Sequence, residues 1–155
     1  MSTTIELDGV DKSFATRGGR IDALSGVSFD VAEREFVAIV GASGCGKSTL
    51  LRIVSGLMPL TAGDVRINGE AVRGPVPEIG IVFQTPVLLP WRSVRRNIEI
   101  QLDIRRLDRA EYAQEVDDLI RLVGLQGFED LKPYELSGGM QQRVALCRAL
   151  IHQPG

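Results

Sequence analysis

Nine residues, Gly41-Ala-Ser-Gly-Cys-Gly-Lys-Ser-Thr49, stand between an apolar run, Phe36–Val40, and a stretch carrying Leu50, Leu51, Ile53, Val54 and Leu57 at helical spacing. Strand, glycine-rich turn and helix in that order leave little freedom in the local fold. The run fits G-x-x-x-x-G-K-[ST], with Gly41, Gly46, Lys47 and Ser48 in the required places. Glycines let the backbone bend until several N–H groups point inward, and the helix N-terminus adds partial positive charge. Such a concavity takes phosphate. Lys47 can then face the β- and γ-phosphates of a nucleoside triphosphate as a point charge, and the Ser48 hydroxyl can ligate Mg²⁺. Ala42, Ser43, Gly44, Cys45 and Thr49 complete the cradle.

A second constellation lies far downstream: Leu136-Ser-Gly-Gly-Met-Gln-Gln-Arg143, at the start of another helical pattern. Ser137 is a good N-cap, and two glycines allow close backbone approach, so this too is a helix terminus suited to an anion. The octapeptide matches L-S-G-G-x-Q-x-[QR], and with the phosphate loop upstream the chain resembles the ATP-binding subunit of an ABC transporter. That resemblance implies that Ser137, Gly138, Gly139 and Gln141 meet ATP held by a second copy of the subunit, in a head-to-tail dimer. In the resembled family a further strand follows the signature and carries a Mg²⁺-organising aspartate and a catalytic glutamate, with a switch histidine later. No run of four apolar residues followed by Asp-Glu lies beyond Arg143. The expectation is therefore a partial cassette that lacks the C-terminal part of its core and is inactive as an ATPase by itself.

The 155 residues suffice for one domain with a real core. A net charge of −2, from 18 basic and 20 acidic residues, argues against nucleic acid as a partner. Apolar runs are too short to span a membrane, and the start, Met-Ser-Thr-Thr-Ile-Glu, has no signal-peptide pattern, so a cytoplasmic location is expected. Two cysteines, Cys45 and Cys147, give no disulfide framework. Cys45 reads as a small residue at a variable loop position and Cys147 as a small buried one.

Ile5 and Leu7, then Val27, Phe29 and Val31, then Val65 and Ile67 alternate with polar residues and read as half-buried strands. Asn68-Gly69 is a strong hairpin turn. Phe36–Val40 and Ile79–Phe83 are apolar nearly throughout and read as a parallel pair covered on both faces. From Ser93 the period changes. Val94, Ile98 and Leu102 mark one amphipathic helix, and Tyr112, Val116, Leu119, Ile120 and Val123 a second, ended by Gly124 and Gly127. Val144, Leu146, Ala149 and Leu150 continue a third, which Pro154 would stop. Arginines at 92, 95, 96, 105, 106 and 109 read as a solvated basic face, with anionic lipid as the alternative.

Gln84 ends the Ile79–Phe83 run, where α/β sheets present ligand groups. It matches the family's glutamine that touches Mg²⁺ or the attacking water, so Lys47 and Gln84 form the expected catalytic pair and Ser48 and Gln84 the metal contacts. Phe14 stands where the family stacks an aromatic on adenine; a plain core phenylalanine is the competing reading. Trp91, between Pro90 and Arg92, belongs either to a small core or to an interface. Leu89-Pro-Trp-Arg-Ser-Val94 with Asn97 is similar to importers of nitrate, sulfonate and taurine. His152 reads as a surface histidine.

The fold implied is α/β, a P-loop ATPase core with an antiparallel β lobe and a helical subdomain. Residues 1–35 and 63–78 fall mainly to the lobe, 36–62 and 79–84 to the core, and 85–150 to the helical subdomain. The resemblance further implies ATP and Mg²⁺ as cofactors, and as partners a second ATP-binding subunit, membrane permease subunits and, indirectly, a solute-binding receptor. It places the protein on the inner face of the membrane through the permease. A soluble ABC ATPase and an exporter cassette are the rival readings; a P-loop kinase would have no use for Leu136–Arg143.

Overall fold

The computed structural model describes residues 4–153. Residues 1–3 and 154–155 lie outside the described residues, and with them Pro154, the expected stop of the last helix. The chain divides between Ile79 and Gly80 into two compact units, so Gln84 stands in the same unit as the signature helix.

In the first unit, β1 (Ile5–Thr16) and β2 (Gly19–Val31) form a long antiparallel hairpin, and β3 (Ala62–Ile67) pairs with the other edge of β1. A short β4 (Glu70–Ala71) completes the order β2-β1-β3-β4. Asn68 and Gly69 turn β3 into β4 with φ of 54° and 78°, the left-handed pair that a two-residue hairpin of native twist requires. Asn68 also exchanges two hydrogen bonds with Thr4, through its side-chain oxygen at 3.0 Å and its own N–H at 2.9 Å. Helix α1 (Lys47–Val54) lays Leu50 and Ile53 into a core made with Leu7, Val10, Leu24 and Val65. Each such side chain contributes about 1.5–3 kcal/mol of apolar burial. The glycine-bearing stretch Ala15–Arg20 is the tip of the first hairpin, with the Thr16 hydroxyl donating to the Gly19 carbonyl at 2.8 Å.

The second unit is helical. It contains α2 (Val94–Ile98), α3 (Ile100–Arg105), α4 (Ala113–Leu122), a 3₁₀ turn (Pro133–Glu135) and α5 (Gly138–Leu150). Val94, Ile98, Leu102, Val116, Ile120, Val144 and Cys147 meet in one core. The stripe Val94, Ile98, Leu102 is thus real, but the helix it marks is interrupted at Glu99. There the Leu102 N–H reaches the Glu99 carbonyl at 2.9 Å, an i−3 bond in place of i−4. Among the described residues no helix is long and apolar enough to cross a membrane.

Two expectations are corrected. Phe36–Val40 and Ile79–Phe83 form no ladder, and Phe36 and Val40 are each 92% exposed rather than covered. A strand needs a neighbour to take its N–H and C=O groups, and the described residues offer these runs none. The arginine-rich segment is not a free basic face either. Arg92 and Arg109 pair with Asp103 at 2.8 and 2.5 Å, Arg96 pairs with Glu99 at 2.9 Å, and Arg95 pairs with Asp117. Glu99 is buried among these guanidiniums. Opposite charges on one helix and its neighbour thus pair four of the six arginines. The Arg92 hydrogen bond, with Arg109 beside it, holds the Asp103 carboxyl below the ordinary carboxylate range.

Candidate functional site

The phosphate-loop motif ends in α1, whose N-cap is Gly46 at φ 98°. That φ and the crowding around the residue both call for glycine: a Cβ there would run into the Ala23 carbonyl and the Leu24 side chain of β2. Gly41 is less confined: a Cβ would meet the Cys45 sulfur at 2.6 Å, the end of a side chain that can turn aside. The first turn of α1 has no side-chain cap and no acidic residue, so its N–H groups and dipole face outward without a competing anion. Lys47 folds over the loop. Its ammonium donates to the Gly41 and Ala42 carbonyls, both at 2.7 Å, and lies 3.5 Å from the Cys45 sulfur. Ser48 is exposed beside it. Free N–H groups, one ammonium and one hydroxyl form a donor set that fits a polyphosphate with its cation. Among the described residues no group of acidic, histidine or cysteine side chains could hold a metal by itself, so a cation here would lean on phosphate oxygens and water, as Mg²⁺ commonly does.

At the other helix terminus, the Ser137 side chain accepts from the Met140 N–H at 3.3 Å and caps α5. Its hydroxyl proton stays available to donate. Gly138 and Gly139 follow in open space, where a Cβ on either would meet nothing within 4 Å. Neither glycine has a positive φ, so nothing in the chain's own packing explains two helix-weakening residues there. The Gln141 side-chain nitrogen donates to the Pro133 and Leu136 carbonyls at 2.8 and 3.3 Å, tying the loop before α5. Arg143 reaches the Val123 carbonyl at 3.1 Å.

Gln84 is exposed, and its backbone carbonyl is gripped by the side-chain amide of Gln142. The segment beyond it is pinned by Asn97, which has no solvent exposure. Asn97 Oδ1 accepts from the Leu89 N–H at 2.7 Å, while Nδ2 donates to the carbonyls of Leu89, Arg92 and Ser93 at 3.0–3.1 Å. The motifs did not single out Asn97 and Gln142 for these roles. The signal for Asn97 was its place in the apolar stripe, three residues after Val94 and beside Ile98. Trp91 is 69% exposed, which excludes the core alternative, and its carbonyl accepts from Lys132 at 3.1 Å. Phe14 lies in β1 opposite Ile21 with its ring 37% exposed and the Lys12 ammonium 5.2 Å from the ring centre. It too is no core residue, and a half-open ring fits a stacking platform.

His152 corrects a further expectation. Both ring nitrogens are buried with no hydrogen-bond partner among the described residues, and burial, with Arg105 nearby, depresses its pKa. Cys147 is fully buried, and burial pushes its thiol up to about 11, whereas Cys45 is exposed.

Comparison with known proteins agrees with this arrangement. A family model described as ABC transporter matches residues 24–155. The chain is 43% identical over 154 residues to an uncharacterized ABC transporter ATP-binding protein of Methanocaldococcus jannaschii, covering 99% of this chain and 58% of that protein. It is 47% identical over 151 residues to a taurine import ATP-binding protein of Rhizobium johnstonii, covering 97% and 58%. A nitrate import ATP-binding protein of Synechocystis is 45% identical over 157 residues, covering 99% and 23%. Among solved structures, an ATP-binding cassette captured as a post-hydrolysis dimer with ADP and Pi superposes with a TM-score of 0.87 at 33% identity, covering 97% of this chain and 70% of that one. The chain thus spans a little over half the length of the first two curated relatives. With the phosphate loop, the Ser-Gly-Gly helix terminus and these matches together, the chain belongs to the ABC transporter family, as part of an α/β ATP-binding cassette.

Proposed function

We propose that the chain is the nucleotide-binding part of an ATPase subunit that powers import of a small solute. In this reading the loop Gly41–Thr49 wraps the phosphates. Lys47 leaves the Gly41 and Ala42 carbonyls for the β- and γ-phosphates, exchanging two neutral acceptors for charged ones. Ser48 and Gln84 would hold Mg²⁺, which would neutralise charge on the phosphate oxygens. Phe14 stacks on adenine. The reaction is ATP + H₂O → ADP + phosphate, with Gln84 orienting the attacking water.

The observation that carries the reading furthest is the pair Gly138 and Gly139. Glycine is a weaker helix former than alanine, and the chain's own packing calls for neither Gly138 nor Gly139 at the start of α5. Close approach of another body accounts for both. Ser137, Gly138 and Gly139 therefore serve ATP held on a second subunit, in line with the dimeric cassette that superposes on this chain. Nitrate, taurine or a related sulfonate is the proposed solute class, supported by the import subunits at 45–47% identity. The permease would bind this subunit at the inner membrane face, with exposed Trp91 and Val87 as contacts, and would receive solute from a receptor. Labelled ATP binding tests the nucleotide assignment. Lys47→Ala should weaken it at least tenfold, roughly the loss of one charge-assisted contact or more, and equal affinity would refute it.

A further inference from the structure

Helix α1 carries the phosphate loop at its N-terminus and borders a cavity at its other end. Gly56 follows the helix at φ 71°, and a Cβ on it would run into the Gly74 carbonyl. Only glycine allows that approach. It brings residues 74–76 onto the helix end, where the Val76 N–H donates to the Ser55 carbonyl at 3.2 Å. Between the turn after α1 and the β3–β4 hairpin lies a cavity of about 450 Å³, within the range of about 300–1,000 Å³ usual for small-molecule sites. Ile53 and Val65, both almost wholly buried, line it together with Leu57, Leu60 and Val72.

Several backbone groups around the cavity are already met. The Arg52 carbonyl accepts from the Leu57 and Met58 N–H groups at 2.8 and 3.1 Å, and the Val65 carbonyl from the Val72 N–H at 2.8 Å. The Pro59 carbonyl accepts from the Lys12 ammonium at 2.7 Å. Arg73 differs. It is the one charged residue among those lining the cavity, and among the described residues it has no hydrogen bond or ion pair. A guanidinium at an apolar cavity lacks the planar anion for which its donor fork is suited.

We propose that this cavity binds a small anion with an apolar body, an alkyl or aryl carboxylate, sulfonate or phosphate. Leu57, Leu60 and Val72 take the body, each methylene withdrawn from water favouring binding about fourfold. Arg73 takes the head through paired N–H donors. A cationic amphiphile would gain the same walls but meet a like charge. A short anion would gain the charge and leave the walls empty. None of residues 41–49 lines the cavity, so the site is separate from the phosphate loop. Free carboxylates and anionic lipids share this chemistry; a cavity of this volume suits a single short chain, so the free molecule is the occupant assigned.

Octanoate is the probe, titrated into the full-length protein with Ile, Leu and Val methyl groups followed by NMR. Methyls of Ile53, Leu57, Leu60 and Val72 should shift together and saturate, while acetate should move none of them. Octylammonium should bind at least tenfold more weakly than octanoate, and hexanoate about tenfold more weakly. Arg73 is exposed and unpaired, so Arg73→Ala should leave the melting temperature unchanged. That variant should lose the preference for octanoate over octylammonium, and Arg73→Lys should keep most of it. Shifts that do not saturate or that fall elsewhere overturn the proposal. Equal affinity for the two amphiphiles, or a preference that survives in Arg73→Ala, overturns it as well. So does capture of the protein by phosphatidylglycerol vesicles while octanoate leaves these methyls unmoved, which would assign the arginine to a lipid surface.

Discussion

Asn97→Ala removes four hydrogen bonds from a side chain with no solvent exposure. Two of the carbonyls keep a second partner: Ser93 has the Asn97 backbone N–H at 2.8 Å and Leu89 the Arg92 backbone N–H at 3.1 Å. The Leu89 N–H and the Arg92 carbonyl lose the bonds described. At about 1 kcal/mol for each group left without its bond, the helical unit should lose about 2 kcal/mol. That is a sizeable share of the roughly 5–15 kcal/mol that stabilises a domain. For a chain of this size it corresponds to a fall in melting temperature of about 4–8 °C. Asn97→Asp should be worse, because a buried carboxylate would face three carbonyls and could still accept only from Leu89. The single tryptophan, Trp91, sits in the pinned segment and reports on it. Its fluorescence anisotropy should drop in the Ala variant as the loop is released, and exchange of the Leu89 amide should accelerate. A melting temperature within about 1 °C of wild type, with Trp91 anisotropy unaltered, would show that Asn97 does not hold this loop.

The thiols should separate cleanly: a thiol reagent at neutral pH should modify Cys45 and leave Cys147, whose pKa of about 11 and full burial keep it protonated; two reactive thiols in the folded protein would contradict this. His152 should make the helical unit acid-sensitive. Its folded pKa lies below the unfolded value of about 6.5, so the unfolded chain takes up the proton first. Stability is then complete above that pH and declines as pH falls through the folded pKa. His152→Phe should lessen the loss of melting temperature between pH 7.5 and 5.5, and an identical loss in the variant would sink the assignment.

What could be read from residues alone divides along physical lines. The phosphate loop and the Ser-Gly-Gly terminus are local chemistry, fixed by turn glycines and caps within a few residues, and both appear where the motifs put them. The Asn68-Gly69 turn and the helix after Tyr112 were legible for the same reason. The β1–β2 hairpin was legible only at its ends, Ile5–Leu7 and Val27–Val31. Between them the ladder shifts register three times, between Leu7 and Val10, Val10 and Lys12, and Lys12 and Ser13, and each shift breaks the period-two alternation that marks a strand. Phe36–Val40 misled because apolar content signals a capacity for burial and not the presence of a neighbour. The arginines misled because their partners, Asp103 and Asp117, stand six to twenty-two positions away. The Asn97 network was hidden for a similar reason: one side chain serves backbone groups of a loop, and backbone groups carry no sequence signature.

In the proposed function the loop of one subunit and the Ser137–Gly139 terminus of another share a nucleotide. Mixing two inactive full-length variants, Lys47→Ala and Ser137→Arg, tests it most directly by phosphate release. Either variant alone forms dimers with both composite sites damaged. A mixed dimer holds one damaged twice and one intact. Equal mixing should therefore restore about a quarter of wild-type turnover, since about half the dimers are mixed and each has one working site of two. A rate no higher than that of either variant alone would show that both motifs act on a nucleotide within one chain, and the composite site would have to be abandoned.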